Sequence, residues 1–188
     1  MWSLQDAKNP FSAVVKAALA GTPQEVSRRG KPAVVVLSVA DYRRLLAEAR
    51  DAGLILAVAT TTTPDNVTAL LRHSLAEDGP DWFALIAAGD IVPAKKPAPD
   101  IYVWALEKLG LAPEECLAFE DSRNGIRASL GAGLRTLVTV NDYTRDDDFS
   151  GALAVLSDLG EPDAPFQRLD EAGETGLVDL AKLRSWLG

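Results

Sequence analysis

The sequence predicts an α/β protein in which a parallel sheet is covered by helices on both faces, with a small α+β segment at the N-terminus. From about residue 54, apolar stretches of strand length alternate with stretches of helical periodicity. These strands are continuously apolar, which is typical of parallel strands buried on both faces. The first fifty residues instead indicate a helix, a strand pair and a second helix.

The N-terminal elements follow from local signals. Apolar residues at helical spacing predict a helix over residues 5–20, and Gly21 ends it as a C-cap. Residues 24–29 and 32–38 predict two strands joined by a hairpin at Gly30-Lys31. A helix over residues 41–52 follows, with Asp41 favourably placed near its N-terminus.

The alternating part of the chain begins at the strand 54–60. The remaining elements are strands at 83–88, 116–120 and 134–140 and helices at 64–78, 98–110, 122–131 and 176–187. Residues 158–175 are rich in Asp, Glu, Gly and Pro and predict a loop. The only histidine, His73, is expected on the solvated face of a helix, and the four tryptophans are expected to pack in the core.

Composition is that of an ordinary globular protein. The 188 residues are 47% hydrophobic and 24% charged, which argues against disorder and fibrous repeats. The apolar runs are too short for a membrane span, and the N-terminal residues lack the layout of a signal peptide. A single cysteine, Cys116, fits a reducing compartment. The expectation is therefore a cytoplasmic protein that does not enter a membrane.

The charge is distributed unevenly along the chain. Residues 1–50 carry eight Lys and Arg against four acids, a net +4, whereas the rest carries eleven against twenty-three, a net −12. A basic segment beside an acidic body indicates either a nucleic-acid-binding segment or a chance scatter of surface charge.

Polar residues with phosphoryl-transfer chemistry stand at the predicted strand ends. Thr60 and Thr61 close the strand 54–60, Lys96 follows in a proline-rich loop, and Glu120 and Asp121 close the strand 116–120. The carboxyl ends of parallel strands are where such sheets bind ligands. A threonine hydroxyl and a lysine stabilise phosphoryl oxygens, and adjacent carboxylates suit Mg²⁺. The pattern predicts a phosphate-binding site at the carboxyl ends of these strands.

No Asp-x-Asp ends an earlier strand, so this site has no obvious aspartate nucleophile. The pair Asp146 and Asp148 lies in a polar loop beyond the last of these strands and is expected to be solvated.

The stretches LAVATTTTPDNVTALL, IAAGDIVPAKKPAPDIYVWALEKLGL and CLAFEDSRNGIRASLGAGLRTLVTV resemble the haloacid-dehalogenase (HAD) superfamily, and within it the CbbY-like or phosphoglucomutase-like phosphatases. The resemblance covers about residues 44–188. It implies Mg²⁺-dependent hydrolysis of a small phosphate ester, with Thr60 and Lys96 as catalytic residues and Glu120 and Asp121 as magnesium ligands. The Asp-x-Asp motif and the helical cap of that family are missing here.

The stretch SLQDAKNPFSAVVKAALAGTPQEVSRRGKPAVVVLSVADYRRL resembles the Phd/YefM antitoxins. That resemblance implies a homodimer that binds operator DNA and neutralises a toxin. Lys8, Arg28, Arg29 and Lys31 are the residues that would face DNA phosphates. The toxin-binding tail of those antitoxins is absent, and the HAD-like sequence stands in its place.

The predicted domains are an antitoxin-like segment over residues 1–44 and a partial HAD-like domain over residues 45–188, with the junction inside the helix 41–52. The strand 32–38, this helix and the strand 54–60 suggest a right-handed β-α-β unit. We therefore hypothesise that the strand 32–38 occupies the position of the missing Asp-bearing strand. Ser38 would then stand near the nucleophile position and Ala40 two residues on, a pair that is catalytically poor.

Three functional interpretations remain open at this stage. The first is a phosphatase-type enzyme module, weak or inactive without its nucleophile, that acts on a small phosphorylated metabolite. The second is an antitoxin-like, operator-binding protein with a non-catalytic HAD-like body. The third is a fusion without a selected function.

Overall fold

The structure is a computed structural model that describes residues 2–3, 24–28, 31–36, 40–171 and 173–187, with side chains described from Arg43 onward. The chain divides into two compact units, Met1–Arg44 and Leu45–Gly188. No helix in the described ranges is long and apolar enough to cross a membrane.

The N-terminal unit contains a three-stranded sheet in the order β1-β2-β3, formed by Trp2–Ser3, Gln24–Arg28 and Lys31–Val36. Strands β2 and β3 pair antiparallel, with a register irregularity at Val26/Ser27, and β1 pairs parallel with β2. The predicted helix over residues 5–20 lies outside the described residues. Helix α1, Ala40–Asp51, follows the sheet.

The hypothesis that the strand 32–38 completes the HAD-like sheet is wrong for the strands that the structure describes. Strand β3 pairs with β2, whereas the first strand of the C-terminal unit, β4 (Ala57–Thr60), pairs with β5 (Leu85–Ala88). Strands β2 and β3 are neighbours in sequence, so their pairing closes a much shorter loop than pairing of β3 with β4 would.

The C-terminal unit alternates strands and helices as expected for an α/β fold. After β4 and β5 come β6 (Leu117–Glu120), β7 (Arg135–Thr139) and β8 (Ala154–Leu156). The helices between them are α2 (Pro64–Ser74), α3 (Asp100–Leu109) and α4 (Arg123–Gly131), and short 3₁₀ turns form at Gly79–Trp82 and Pro113–Glu115.

The strands of this unit form two parallel sheets, β4-β5 and β6-β7-β8. One core cluster takes side chains from both sheets, because it joins Ala87 of β5 with Ala118 of β6. The other cluster joins Leu56, which precedes β4, with Phe119 and Leu137 of the second sheet. The two sheets therefore pack against a common apolar core.

The C-terminal segment contains structure where the sequence predicted a loop. Strands β9 (Phe166–Gln167) and β10 (Thr175–Gly176) form a short antiparallel pair, and helix α5 (Leu180–Leu187) follows. Phe166 is fully buried and packs near Trp186. This aromatic contact and an ion-pair network around Arg168 hold a segment whose composition alone suggests no regular structure.

Candidate active site

The predicted functional residues of the C-terminal unit lie at or beside the carboxyl ends of β4 and β6. Strand β4 ends at Thr60 and β6 ends at Glu120, and both strands belong to parallel pairs. Lys96 lies in the loop between β5 and α3, and its side chain extends to both strand ends. These contacts bring the loop to the carboxyl ends of both strands.

Lys96 is held by three oxygen atoms. Its Nζ lies 3.0 Å from the Ala59 carbonyl oxygen, 2.5 Å from Glu120 Oε1 and 3.3 Å from the Tyr102 hydroxyl. An ammonium group has three N–H donors, so these partners satisfy all of them. The lysine side chain is 14% exposed, and its position is therefore fixed before any ligand arrives.

Tyr102 is the third member of this cluster, and it comes from the first turn of α3. Its hydroxyl donates a hydrogen bond to Glu120 Oε1, and its ring lies 4.7 Å from Lys96 Nζ. Burial, followed by the charge of Glu120 and its hydrogen bond, raises the pKa of Tyr102 far above its usual range. The hydroxyl therefore keeps its proton and remains a donor to Glu120.

Glu120 is a buried carboxylate with both oxygens enclosed. Its Oε1 contacts Lys96 and Tyr102, and its Oε2 lies where a Cβ on Gly125 would stand, 1.8 Å from that position. Only a glycine in α4 leaves room for this carboxylate. Ser122 begins the helix as N-cap, and its Oγ accepts a hydrogen bond from Gly125 N–H at 3.2 Å.

Thr60 presents a hydroxyl at the end of β4. Its Oγ1 accepts a hydrogen bond from the Thr62 N–H at 3.2 Å. A hydroxyl has one donor besides its acceptor lone pairs, so this turn uses an acceptor position and leaves the proton for a ligand oxygen. Thr61 is exposed just beyond the strand.

Asp121 differs from Glu120, because its side chain is exposed. The charges of Lys96 and Glu120 offset each other. The carboxylate of Asp121 therefore gives this edge of the sheet one unbalanced negative charge. An anionic ligand here needs a further positive charge. Magnesium is commonly held by one or two carboxylates together with phosphate oxygens, and Asp121 fits that role. Among the described residues no group of three or more His, Cys, Asp or Glu side chains could hold a metal ion.

The residues predicted to contact DNA cannot be placed in a site. Lys8 and Arg29 lie outside the described residues, and Arg28 and Lys31 belong to β2 and β3 without described side chains. Ser38, the residue expected near the nucleophile position, also lies outside the described residues.

The other expected surface residues are where the sequence placed them. His73, Asp146 and Asp148 are exposed. A hydrogen bond from the Ser150 hydroxyl lowers the pKa of Asp148, so this carboxylate takes part in a local turn.

Two residues of the site escaped the sequence analysis. Tyr102 lies six residues after Lys96, and only the helical register of α3 brings its hydroxyl back to the lysine. Gly125 did carry a signal, because a glycine inside a helix costs about 1 kcal/mol relative to alanine and so indicates a packing reason.

Comparison with known proteins places this geometry in a family. Residues 17–133 match the haloacid dehalogenase-like hydrolases. The chain is 48% identical over 143 residues to the plasmid-encoded protein CbbY of Cupriavidus necator, a match covering 76% of this chain and 56% of that protein. It is 52% identical over 115 residues to CbbY of Rhodobacter capsulatus, covering 61% of this chain and 51% of that protein.

The fold is also similar to solved structures of the same group. A crystal structure of CbbY from Rhodobacter sphaeroides in complex with phosphate aligns with a TM-score of 0.59 at 48% identity, over 63% of this chain and 53% of that one. A mutant of that protein in complex with xylulose-(1,5)bisphosphate aligns with a TM-score of 0.60 at 46% identity, over 66% of this chain and 56% of that one.

The chain spans about half the length of the curated relatives it matches. The family match covers more than half of this chain, and the loop residue Lys96 contacts Glu120 at the carboxyl end of the parallel strand β6. The chain therefore belongs to the haloacid dehalogenase-like hydrolase family.

Proposed function

We propose that the C-terminal unit binds the phosphate group of a small phosphorylated compound at the carboxyl ends of β4 and β6, as a phosphatase-type module. The observation that carries this proposal is the position of Lys96, whose Nζ is fixed between the Ala59 carbonyl oxygen and Glu120 Oε1. The named relatives support it, because CbbY of Rhodobacter sphaeroides was crystallised with phosphate and with a sugar bisphosphate.

Each residue of the edge has a distinct part in this proposal. The Thr60 hydroxyl donates to a phosphate oxygen, since its hydrogen bond from the Thr62 N–H uses only an acceptor lone pair and not its proton. Lys96 acts as a fixed positive charge beside the phosphate, because its three N–H donors already have acceptors. Asp121 and Glu120 are the candidate magnesium ligands, and of these Asp121 has the open carboxylate. A bound magnesium ion would offset the negative charge of the phosphate oxygens.

Turnover is expected to be slow. Hydrolysis by a covalent route needs a nucleophile that attacks phosphorus and a group that exchanges its proton. The sequence before Thr60 has no Asp-x-Asp, and Ser38 and Ala40 cannot replace two carboxylates. What remains is electrostatic stabilisation by Lys96 and the strand-end groups, which supports binding better than it supports chemistry.

The test is the release of phosphate from a panel of sugar phosphates, measured with and without Mg²⁺. Lys96→Ala and Asp121→Asn remove the proposed charges. Lys95→Ala is the matched control, because Lys95 is exposed and pairs with Asp90 at 2.7 Å.

Release that depends on Mg²⁺ and is abolished by Lys96→Ala and Asp121→Asn, but not by Lys95→Ala, supports a working phosphatase site. Binding of phosphate without release supports a binding module. Neither binding nor release in a folded protein contradicts the proposal.

We infer a second candidate function for the N-terminal unit, namely DNA binding as an antitoxin-like dimer. It is favoured by the net +4 charge of residues 1–50 and by the antiparallel β2-β3 hairpin in a separate compact unit. Binding through phosphates should weaken steeply with salt. Titration of the full chain into duplex DNA at 50 and 200 mM salt tests this, and an affinity that does not change with salt would contradict it.

A further inference from the structure

Strand β4 has the burial of an edge strand, although it belongs to a parallel pair. It pairs with β5 on one side, and no other strand that the structure describes pairs with it. Parallel strands are normally buried on both faces, as Ala87 and Ala88 of β5 are. No residue of β4 is buried to that degree, and Ala57 at its start is exposed. The side of β4 that faces away from β5 is therefore an open edge.

The backbone of β4 directs hydrogen-bonding groups to this open edge. The Leu56 carbonyl oxygen, just before the strand, points to the β5 side, where it accepts from the Ala84 N–H at 2.9 Å. Successive residues of a strand direct their backbone groups to opposite edges, so those of Ala57 and Ala59 face away from β5. The contact of the Ala59 carbonyl oxygen with Lys96 Nζ at 3.0 Å agrees with this direction. Such a row of backbone groups is a template for a further strand.

Exposed apolar side chains continue this edge at its N-terminal end. Leu54 and Ile55 are 50% and 56% exposed, and they come just before β4. Residues 54–60 contain no charged side chain and no proline, the residues that commonly protect an edge strand from other chains. We call residues 54–59, with their outward backbone groups, the β4 edge surface. It combines the two features of a strand-addition site, which are unpaired backbone groups and an apolar surround.

We propose that the β4 edge surface binds an extended segment of a partner polypeptide, which adds to β4 as a further strand and carries basic residues at its ends. The backbone groups of Ala57 and Ala59 hold the segment, and its apolar side chains cover Leu54 and Ile55. The inference goes beyond the proposed phosphate binding and does not rest on it.

Charge complementarity identifies the partner as basic. Residues 51–188 carry eleven Lys and Arg against twenty-three acids, a net −12. Lys96 extends from the open edge of β4 to Glu120, so the exposed Asp121 follows the neighbouring strand end on the same side. A second copy of the chain would bring its own net charge of −8 to this surface and would be repelled. A segment with basic ends is attracted instead, while its backbone does the pairing.

The test titrates the full chain into a fluorescein-labelled peptide that alternates valine and threonine between two terminal arginines, with fluorescence anisotropy as the readout. One matched peptide has glutamates in place of the arginines. Another keeps the arginines and carries N-methyl groups on alternate backbone nitrogens, which removes the donors needed for strand pairing. We expect each change to weaken binding about tenfold or more, because it removes either the charge attraction or the backbone hydrogen bonds.

The matched protein variants are Ala57→Pro and Ala57→Val. Proline removes the outward N–H of β4 without taking a hydrogen bond from β5, which is how edge strands tolerate proline. The arginine peptide should bind Ala57→Pro about tenfold more weakly, whereas Ala57→Val should stay within about threefold of wild type, because the Ala57 side chain is exposed. Failure of wild type to bind the arginine peptide would overturn the proposal. Equal binding of the N-methylated peptide, or equal binding by Ala57→Pro, would overturn it as well.

Hydrogen exchange on the unmodified protein decides the question if Ala57→Pro fails to fold. Saturating arginine peptide should slow exchange of the Ala57 and Ala59 amide protons at least about tenfold, because pairing protects them. Unchanged exchange at both positions would contradict strand addition. A wild-type chain that sediments as a dimer, with Ala57→Pro a monomer, would show that a second copy occupies the edge and would overturn the choice of partner.

Discussion

Gly125 should be one of the least replaceable residues of the C-terminal unit, although it lies inside a helix. An alanine Cβ at this position would stand 1.8 Å from Glu120 Oε2 and 2.3 Å from its Cδ. Neither distance is compatible with van der Waals contact, so the carboxylate must move and leave Lys96 and Tyr102.

Two opposing energies set the size of the effect of Gly125→Ala. Replacing glycine by alanine in a helix gains about 1 kcal/mol. Separating a buried ion pair costs about 3–5 kcal/mol, because a charge loses its partner without regaining water. The cost of separating the ion pair exceeds the gain from replacing glycine by alanine. We therefore expect the free energy of unfolding to fall by about 2–4 kcal/mol.

Urea denaturation followed by tryptophan fluorescence measures this change. The matched control is Gly131→Ala at the end of the same helix, where the new Cβ would meet Pro99 Cβ at 3.3 Å. A small shift of the proline ring relieves that contact, so its effect should stay within about 1 kcal/mol. Equal stability of the two variants, or a more stable Gly125→Ala, would refute the proposed packing of Glu120.

Two further predictions concern stability away from the site. Ser129→Ala should cost about 1–2 kcal/mol in chemical denaturation, because the Ser129 and Thr136 hydroxyls are buried and lie 2.7 Å apart; no loss would show that this pair contributes nothing. Hydrogen bonds from Lys182 and Arg168 lower the pKa of Glu174 to about 2. Folding thus makes protonation of Glu174 harder, so its stabilisation is complete above its ordinary pKa of 4.5 and is lost as the pH falls from there toward 2. Glu174→Gln should therefore lower stability by about 1 kcal/mol at pH 7 and by much less near pH 2.5, and a loss that does not change with pH would contradict this assignment.

Much of the α/β unit could be predicted from local patterns. The strand 54–60 and the strand 116–120 were predicted with ends at Thr60 and Glu120, because apolar runs followed by polar groups mark the carboxyl ends of buried strands. Parallel topology then requires those ends to share an edge, and the loop lysine Lys96 reaches them.

The unpredicted parts depend on contacts that are distant in sequence. Strands β9 and β10 lie in a polar stretch, and they form where Arg168 pairs with Glu174 and Phe166 enters the core. Tyr102 likewise gives no local signal, because its partner Glu120 is eighteen residues away.

The hairpin pairing of the strands 24–29 and 32–38 is confirmed, whereas the hypothesis that the strand 32–38 also completes the HAD-like sheet is wrong. Its apolar sequence suits a buried parallel strand as well as one arm of a hairpin. The structure pairs Lys31–Val36 with its neighbour Gln24–Arg28.

The most direct test of the phosphate-binding edge is a calorimetric titration of inorganic phosphate, in the presence of Mg²⁺, into wild type, Lys96→Ala and Lys95→Ala. Lys96 is fixed at the strand ends, whereas Lys95 pairs with Asp90 on the surface. Loss of a charge beside the phosphate should weaken binding at least tenfold in Lys96→Ala, and Lys95→Ala should stay within about twofold of wild type. Equal affinities for all three proteins would contradict a phosphate site at the ends of β4 and β6.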